Sequence, residues 1–476
     1  MAGKQDIGFQ PVIPGTDIGA YALARSFHEK WKVKPTLLTL QVLGPIMASG
    51  IIDTRLVEPN ALPNPDSEMP LIDGLLALAP KLQKEYPGKK LLLIANMDSN
   101  VRDIMRREEE LRKYYAFAFP SLKIIEDTSD KAKFPLLAAE HGLNVPQTLE
   151  IDFSGSLEDE LAKLEQVNQP FPWIIKPATS AGYERLKWPG KAKVYTVSNK
   201  EEAQTLLANL YQHTHNNPHA RRFVLQPRVE GNDSFNLSVT AYVDQNLRVT
   251  MLGSAQVLLE DHSPTALGNP VAMITEPYPR LYEQVSSFLK GVGWHGFANF
   301  DFKVDSRTGI AYCFEVNPRI GRNSYYNTSA GMNPMRFFVE DVVEGKAIAP
   351  QRLGKRVYYS ILPKRLVLRY VDKQMGKKIK TLYRLKKNHD PLFYPADFDF
   401  SLRGLKRFAY VMIARENHWR KYHRNYPVAK FRQGETRSLD TAALTQPWPP
   451  GLVGQTAEES LRASQRQGRD KALTNY

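Results

Sequence analysis

Asn299-Phe300-Asp301-Phe302-Lys303-Val304 and Tyr312-Cys313-Phe314-Glu315-Val316-Asn317 both alternate polar and apolar residues with period two, the mark of half-buried strands. Phe300, Phe302 and Val304 share one face with Tyr312, Phe314 and Val316, and the other face collects Asn299, Asp301, Lys303, Cys313, Glu315 and Asn317. Between them, Asp305-Ser306-Arg307-Thr308-Gly309 has the length and composition of a hairpin turn. Either register that keeps the apolar face intact puts Asp301 opposite or diagonal to Glu315. Two carboxylates, with an amide oxygen two residues on, suit a hard cation such as Mg²⁺ or Mn²⁺. Asp301, Glu315 and Asn317 are therefore the expected metal ligands of a site that orients a polyphosphate.

An exposed sheet face that happens to carry charges would also alternate in this way. The continuation Asn317-Pro318-Arg319-Ile320-Gly321-Arg322-Asn323 favours function, because it adds two planar guanidinium groups able to clamp phosphate or carboxylate. Upstream, Ile174-Ile175-Lys176-Pro177 ends a strand on a lysine whose backbone the following proline keeps extended.

Asp301, the run Phe314-Glu315-Val316-Asn317-Pro318-Arg319 and Ile174-Ile175-Lys176-Pro177 together resemble the ATP-grasp pattern. More narrowly, from about Ile13 to Pro427 the chain is similar to the bacterial carboxylate–amine ligases typified by D-aspartate ligase of peptidoglycan cross-bridge synthesis. The resemblance implies an α/β and α+β fold: a Rossmann-like pre-ATP-grasp domain, a two-lobed ATP-grasp domain and a basic C-terminal extension. It implies ATP as co-substrate, with Lys176 and Lys131 as phosphate ligands. Thr179 to Gly190 sits where the family keeps a loop over the phosphates. Here that loop is sparsely glycine-rich and bears Arg185 and Lys187, so side chains such as Lys193 are expected to contribute instead. Leu225-Gln226-Pro227-Arg228-Val229 resembles the adenine-binding segment, and Asp233 matches the acidic group on the ribose. Pro227 has no N–H to donate, which leaves the adenine contacts to its neighbours, Gln226 and Val229 among them. Arg319, with Lys176, is the expected catalytic group, and Arg322 or Asn323 would bind a second carboxylate of the substrate.

The implied reaction activates a carboxylate as an acyl phosphate and joins it to an amine. The implied substrates are D-aspartate and an anionic nucleotide- or lipid-linked muropeptide acceptor. A ligase for another amino acid or acceptor is the alternative within the class. A nucleic-acid-binding protein on an inactive ligase fold is the alternative outside it, although no RNA-binding signature stands out and no nucleic-acid partner is expected.

Composition agrees with a soluble enzyme. The 476 residues favour roughly three domains, and the apolar share of 42% and charged share of 24% are ordinary for a globular protein. The single cysteine, Cys313, excludes an internal disulfide or a cysteine-based zinc site and reads as a small packing residue. No targeting signal is visible, and Leu37 to Ile52, the longest apolar stretch, is broken by Gln41, Gly44 and Pro45. A cytoplasmic protein is expected. The net charge of +14 is concentrated between Gln351 and Arg432, where 22 Lys/Arg face 5 acidic residues. Such a region calls for an anionic partner, and peripheral contact with anionic membrane is compatible with it.

Expected boundaries are 1–123 for the Rossmann-like domain, 124–232 and 233–345 for the small and large ATP-grasp lobes, 346–430 for the basic region, and 431–476 for a disordered tail. Ala20, Leu23, Ala24, Phe27 and Trp31 mark one stripe of an early helix. Ser129-Asp130-Lys131 opens a helix towards Gly142 that Pro135 should kink or delay. Ser198 with Glu201 reads as a capping box, and Asn333-Pro334 as a helix start.

Overall fold

Phe9–Pro14, a run without a charged residue, is the central strand of a five-stranded parallel sheet. The strand order is Asp53–Leu56, Thr36–Thr39, Phe9–Pro14, Lys90–Leu93, Tyr115–Ala116. The helix Ile18–Trp31 buries Ala20, Leu23, Ala24 and Phe27, the stripe read from the sequence, and Asp17 caps it by accepting from the Ala20 N–H. The chain winds outward in both directions from the gap between Phe9–Pro14 and Lys90–Leu93. The crevice beyond the carboxyl ends of those two strands is where open parallel sheets bind ligands.

The computed structural model describes residues 7–446 apart from Leu43, Pro59, Ala61, 63–66, Thr265 and Glu435. Two units divide the described residues: those within 7–122, 232–300 and 317–446 form the first, and those within 123–231 and 301–316 the second.

A mostly antiparallel eight-stranded sheet runs in the order Ala311–Asn317, Gly296–Val304, Asn236–Val243, Val249–Glu260, Pro270–Thr275, Tyr358–Ser360, Asn388–His389, and Gln351–Arg352 pairs off this path with Val249–Glu260. The basic region thus contributes strands to this sheet. In the first unit one apolar core joins the early helix, the inner strands and the helix Pro334–Val342. That last helix starts as expected, with the Asn333 side chain accepting from the Met335 N–H.

The second unit holds a four-stranded antiparallel sheet ordered Leu149–Asp152, Arg222–Pro227, Trp173–Pro177, Tyr195–Val197. The helix Lys200–Thr214 covers it with Ala203, Leu207 and Leu210. Its capping box lies one residue later than the sequence suggested. Asn199 Oδ1 accepts from the Glu202 N–H at 2.8 Å, and Glu202 accepts from the Ser198 N–H at 2.8 Å, because Asn199 is the residue left in extended geometry. Pro135 delays rather than kinks: one helix ends at Ser129 and the next begins at Lys133, with the proline in its first turn.

The tail reading also needs correction. Among the described residues, Ser438 N–H donates to Asp372 (2.8 Å), Leu439 N–H to Ser234 Oγ (3.0 Å) and Thr441 Oγ1 to Glu276 (2.8 Å). Buried and half-buried acceptors fasten this segment although it lacks apolar periodicity. The remainder of the expected disordered tail, from Pro447 on, lies outside the described residues. No described helix is long and apolar enough to cross a membrane.

Candidate active site

In the second unit two lysines far apart in sequence come together. Lys176 ends the strand Trp173–Pro177, and the Lys131 N–H donates to Ala178 O at 3.0 Å, which ties the two segments to each other. Burial, aided by the neighbouring Lys131, pulls the Lys176 ammonium down to about 8, against the partial support of Glu315. Burial also lowers Lys131, with Glu315, Asp130 and Glu184 opposing. Desolvated like charges in one place cost free energy unless an anion completes them.

The carboxylates of the hairpin belong to this neighbourhood. Glu315 is exposed and Asp301 half-buried, and both act on the thiol of Cys313, which burial raises well above the usual thiol range. The expected face pattern holds on the first strand, where Phe300, Phe302 and Val304 are buried. It fails on the second: Cys313 is fully buried while Tyr312 and Phe314 are only half-buried. Ala311–Asn317 is an edge strand, and the Cys313 N–H is taken by Asn144 O at 2.7 Å, so another segment covers that edge. Phe314 is left partly open, with Lys176 Nζ 5.9 Å from its ring centre. The sequence reading missed that contact. Asn317, in the first unit, donates from Nδ2 to Asn299 O at 3.4 Å. Two carboxylates and a carboxamide fit a hard cation chemically, although no cluster of three or more His, Cys, Asp or Glu able to hold a metal occurs among the described residues.

The remaining expected nucleotide ligands are spread out. Gln226 is buried and donates to Thr148 Oγ1 at 2.7 Å, and Val229 is buried. Lys193 is exposed and pairs with Glu184 at 2.8 Å. Asp233, in the first unit, pairs with His262 (2.8 Å) and accepts from the Glu260 N–H (3.0 Å), partners the sequence reading did not foresee.

Also in the first unit, Arg319 and Arg322 meet the carboxyl-end crevice of the parallel sheet. Arg319 donates through Nε and Nη2 to Asp98 Oδ2 at 3.2 and 3.0 Å. Arg322 Nε donates to Asp17 Oδ2 at 3.2 Å, and Asn96 Nδ2 donates to Asp17 Oδ1 at 2.9 Å. The Tyr359 hydroxyl donates to Asn323 Oδ1 at 3.4 Å. Asp17 and Asp98 follow the two strands that flank the switch point, so the topology sets both guanidinium groups where such sheets take anions. Neither aspartate was singled out in the sequence. Their positions just after two buried strands were the available signal.

No family model matches the chain. It is 28% identical over 430 residues to a D-aspartate ligase from Enterococcus faecium (strain Aus0004), covering 88% of this chain and 97% of that protein. Among solved structures it is similar to a biotin carboxylase–β,γ-ATP complex from Campylobacter jejuni, with TM-score 0.54, 14% identity and 72% of each chain covered. It is also similar to N5-carboxyaminoimidazole synthetase from Staphylococcus aureus complexed with ADP, with TM-score 0.51, 14% identity, and 79% of this chain and 87% of that one covered. The chain thus shares the fold of those structures and is similar to a D-aspartate ligase along nearly the whole of both chains.

Proposed function

We propose that the protein acts in the cytoplasm as an ATP-dependent ligase that joins D-aspartate, through its β-carboxylate, to the side-chain amine of a peptidoglycan precursor. The observation that carries the ATP part of this reading is the half-buried pair Lys131 and Lys176, whose partly desolvated charges call for a polyphosphate. The 28% identity to a D-aspartate ligase supports the choice of acid.

In this reading the β-carboxylate oxygen attacks the γ-phosphorus and ADP leaves. The amine then attacks the acyl carbon, phosphate leaves, and the nitrogen loses a proton. Phosphoryl transfer of this kind needs positioning and charge stabilisation more than covalent help. Lys131 and Lys176 would hold the phosphates, with Lys193 beside them. The segment around Gln226 and Val229 would hold the adenine, and Asp233 the ribose. Asp301, Glu315 and Asn317 would hold Mg²⁺, which when bound spreads the phosphate charge. Arg319 would steady the transferred phosphoryl group and the tetrahedral adduct; Nη1 takes no part in its bonds to Asp98. Arg322 or Asn323 would take the α-carboxylate, which fixes the acid end for end.

Phosphate release from ATP is expected with D-aspartate plus a muropeptide amine, and only weakly with L-aspartate or other acids. Turnover with a different acid alone would remove D-aspartate from the reading.

Nucleotide affinity should also depend on pH. The ammonium form of Lys176 attracts phosphate, and its free-state value of about 8 means the charge is present at pH 7 and mostly lost at pH 9. Affinity for ADP should therefore weaken by about tenfold or more between those values, with proton uptake on binding near pH 8–9. Calorimetric titration at both pH values checks this. An affinity that stays level would show that neither lysine meets the phosphates.

A further inference from the structure

The helix Lys373–Arg384 buries Met375, Gly376, Ile379 and Leu382. Lys373, Lys377, Lys380 and Arg384, all exposed, follow one another at helical spacing along its opposite side, a continuous cationic stripe. Two hollows adjoin that stripe. The wider, about 700 Å³, is lined by Lys364, Lys377, Lys380, Thr381, Tyr383 and Arg384. The narrower, about 300 Å³, shares Lys364 and Tyr383 and continues along Ser360, Asn388, His389 and Arg415. Lys364 Nζ sits 4.4 Å from the Tyr383 ring centre. Asp390 is the one carboxylate in either lining, and Arg415 already pairs with it. Among the described residues no carboxylate pairs with Lys364, Lys377, Lys380 or Arg384.

A lysine-rich helix face by itself is usually just solvated. This one is different because its cations line a concave surface, where like charges repel most and an anion gains most. Its narrow end also lies beside the arginine crevice of the same unit. Ser360 lines the narrow hollow, while Tyr359, on the opposite face of that strand, reaches Asn323. The half-buried ring of His418 lies within charge–charge range of both Arg322 and Asp390.

Building on the ligase reading above, we propose that this groove binds the diphosphate of the amine-bearing second substrate. The wider hollow takes the diphosphate through Lys364, Lys377, Lys380 and Arg384. The narrower hollow, with the hydrogen-bonding side chains of Asn388, His389 and Ser360, leads the rest of the acceptor towards Tyr359 and the acid. A nucleoside diphosphate and a polyprenyl diphosphate would present the same group.

Inorganic pyrophosphate is the first probe, titrated into the full-length protein with Mg-ADP in excess so that the nucleotide site is filled. We expect a Lys377→Ala/Lys380→Ala/Arg384→Ala variant to bind it about tenfold or more weakly, Lys364→Glu to weaken it likewise, and wild-type binding to fade with added salt. The control Lys346→Ala, an exposed residue paired with Glu344, should bind as the wild type does. A thermal melt confirms that each variant is folded. UDP and vesicles carrying a polyprenyl diphosphate then separate the two sources, the tighter ligand naming the acceptor's carrier. The proposal is overturned if the triple variant keeps wild-type affinity. It is equally overturned if a single-stranded RNA binds more tightly than any diphosphate and loses that binding in the triple variant. Wild-type hydroxamate formation from ATP, an acid and hydroxylamine tests the ligase reading independently, since hydroxylamine carries no phosphate. Its failure with every acid would sink that reading while leaving the pyrophosphate result in place.

Discussion

Replacing Glu315 with glutamine is expected to lower ATP turnover by about two to three orders of magnitude while leaving stability nearly unchanged. In its proposed role as a metal ligand, Glu315 sits where transition-state charge would develop, and deleting one such group has an effect of about that size. Stability should hold because Glu315 is exposed, and exposed substitutions away from buried networks shift stability by only about 0.5 kcal/mol. The electrostatics add a second signature. Glu315 is a charge that favours the ammonium forms of both Lys131 and Lys176. Without it both lysines lose their protons more readily, so residual activity should fall off at a lower pH than in the wild type. The assay is ADP release at saturating ATP across pH 6.5–9, with a parallel thermal melt. Turnover within twofold of wild type would remove Glu315 from the metal site and the hairpin from the mechanism.

Asp397→Ala should be the most destabilising single substitution of a charged residue that the structure suggests, at about 3–5 kcal/mol. Asp397 and Arg407 are both fully buried and lie 3.0 Å apart. Asp397 also accepts from the Tyr21 hydroxyl at 2.9 Å, from Ser49 Oγ and from the Gly50 N–H. Arg407 also donates to the carbonyls of Pro45 and Met47 and stacks 4.4 Å from the Tyr21 ring centre. Removing the carboxylate leaves a guanidinium without water or a counter-charge, together with several donors that have lost their acceptor. Burial is also the main reason the Tyr21 phenol is shifted upward, and Asp397 adds to it. The double variant Asp397→Leu/Arg407→Met should recover much of the loss, because apolar residues of similar volume often replace a buried pair without penalty. Urea midpoints at unchanged slope would read both effects. An additive double variant would mean the two charges do not act as a pair.

Much of the architecture was legible because it is written in local periodicity. The stripe from Ala20 to Trp31, the Asn333-Pro334 helix start and the alternation at Asn299–Val304 all depend on residues close in sequence, where helix and strand geometry impose the repeat. Where a reading slipped, a longer-range effect won. Ser198 and Asn199 are equally good caps on paper, and the strand ending at Val197 decided which was left extended. The second hairpin strand lost its expected face because Asn144, far upstream, covers its edge.

The candidate site shows the same division. Lysine, glutamate and arginine types in the right order were enough to suggest polyphosphate chemistry, since those charges are needed wherever the chain puts them. Their partners were not readable. Asp98 and Arg319 are 221 residues apart, Asp17 and Arg322 are 305, and Tyr21 and Asp397 are 376.

The amino-acid order alone named the candidate residues for the chemistry and marked several of the helices and strands, because side-chain charge and backbone propensity act over a few residues. Only the tertiary structure decided which lysines are partly shielded from water, which aspartate holds which arginine, and that the cations of the basic region line a groove. Desolvation and pairing depend on contacts closed across long loops, and the cost of closing a loop grows too slowly with its length for the sequence to reveal which ones form.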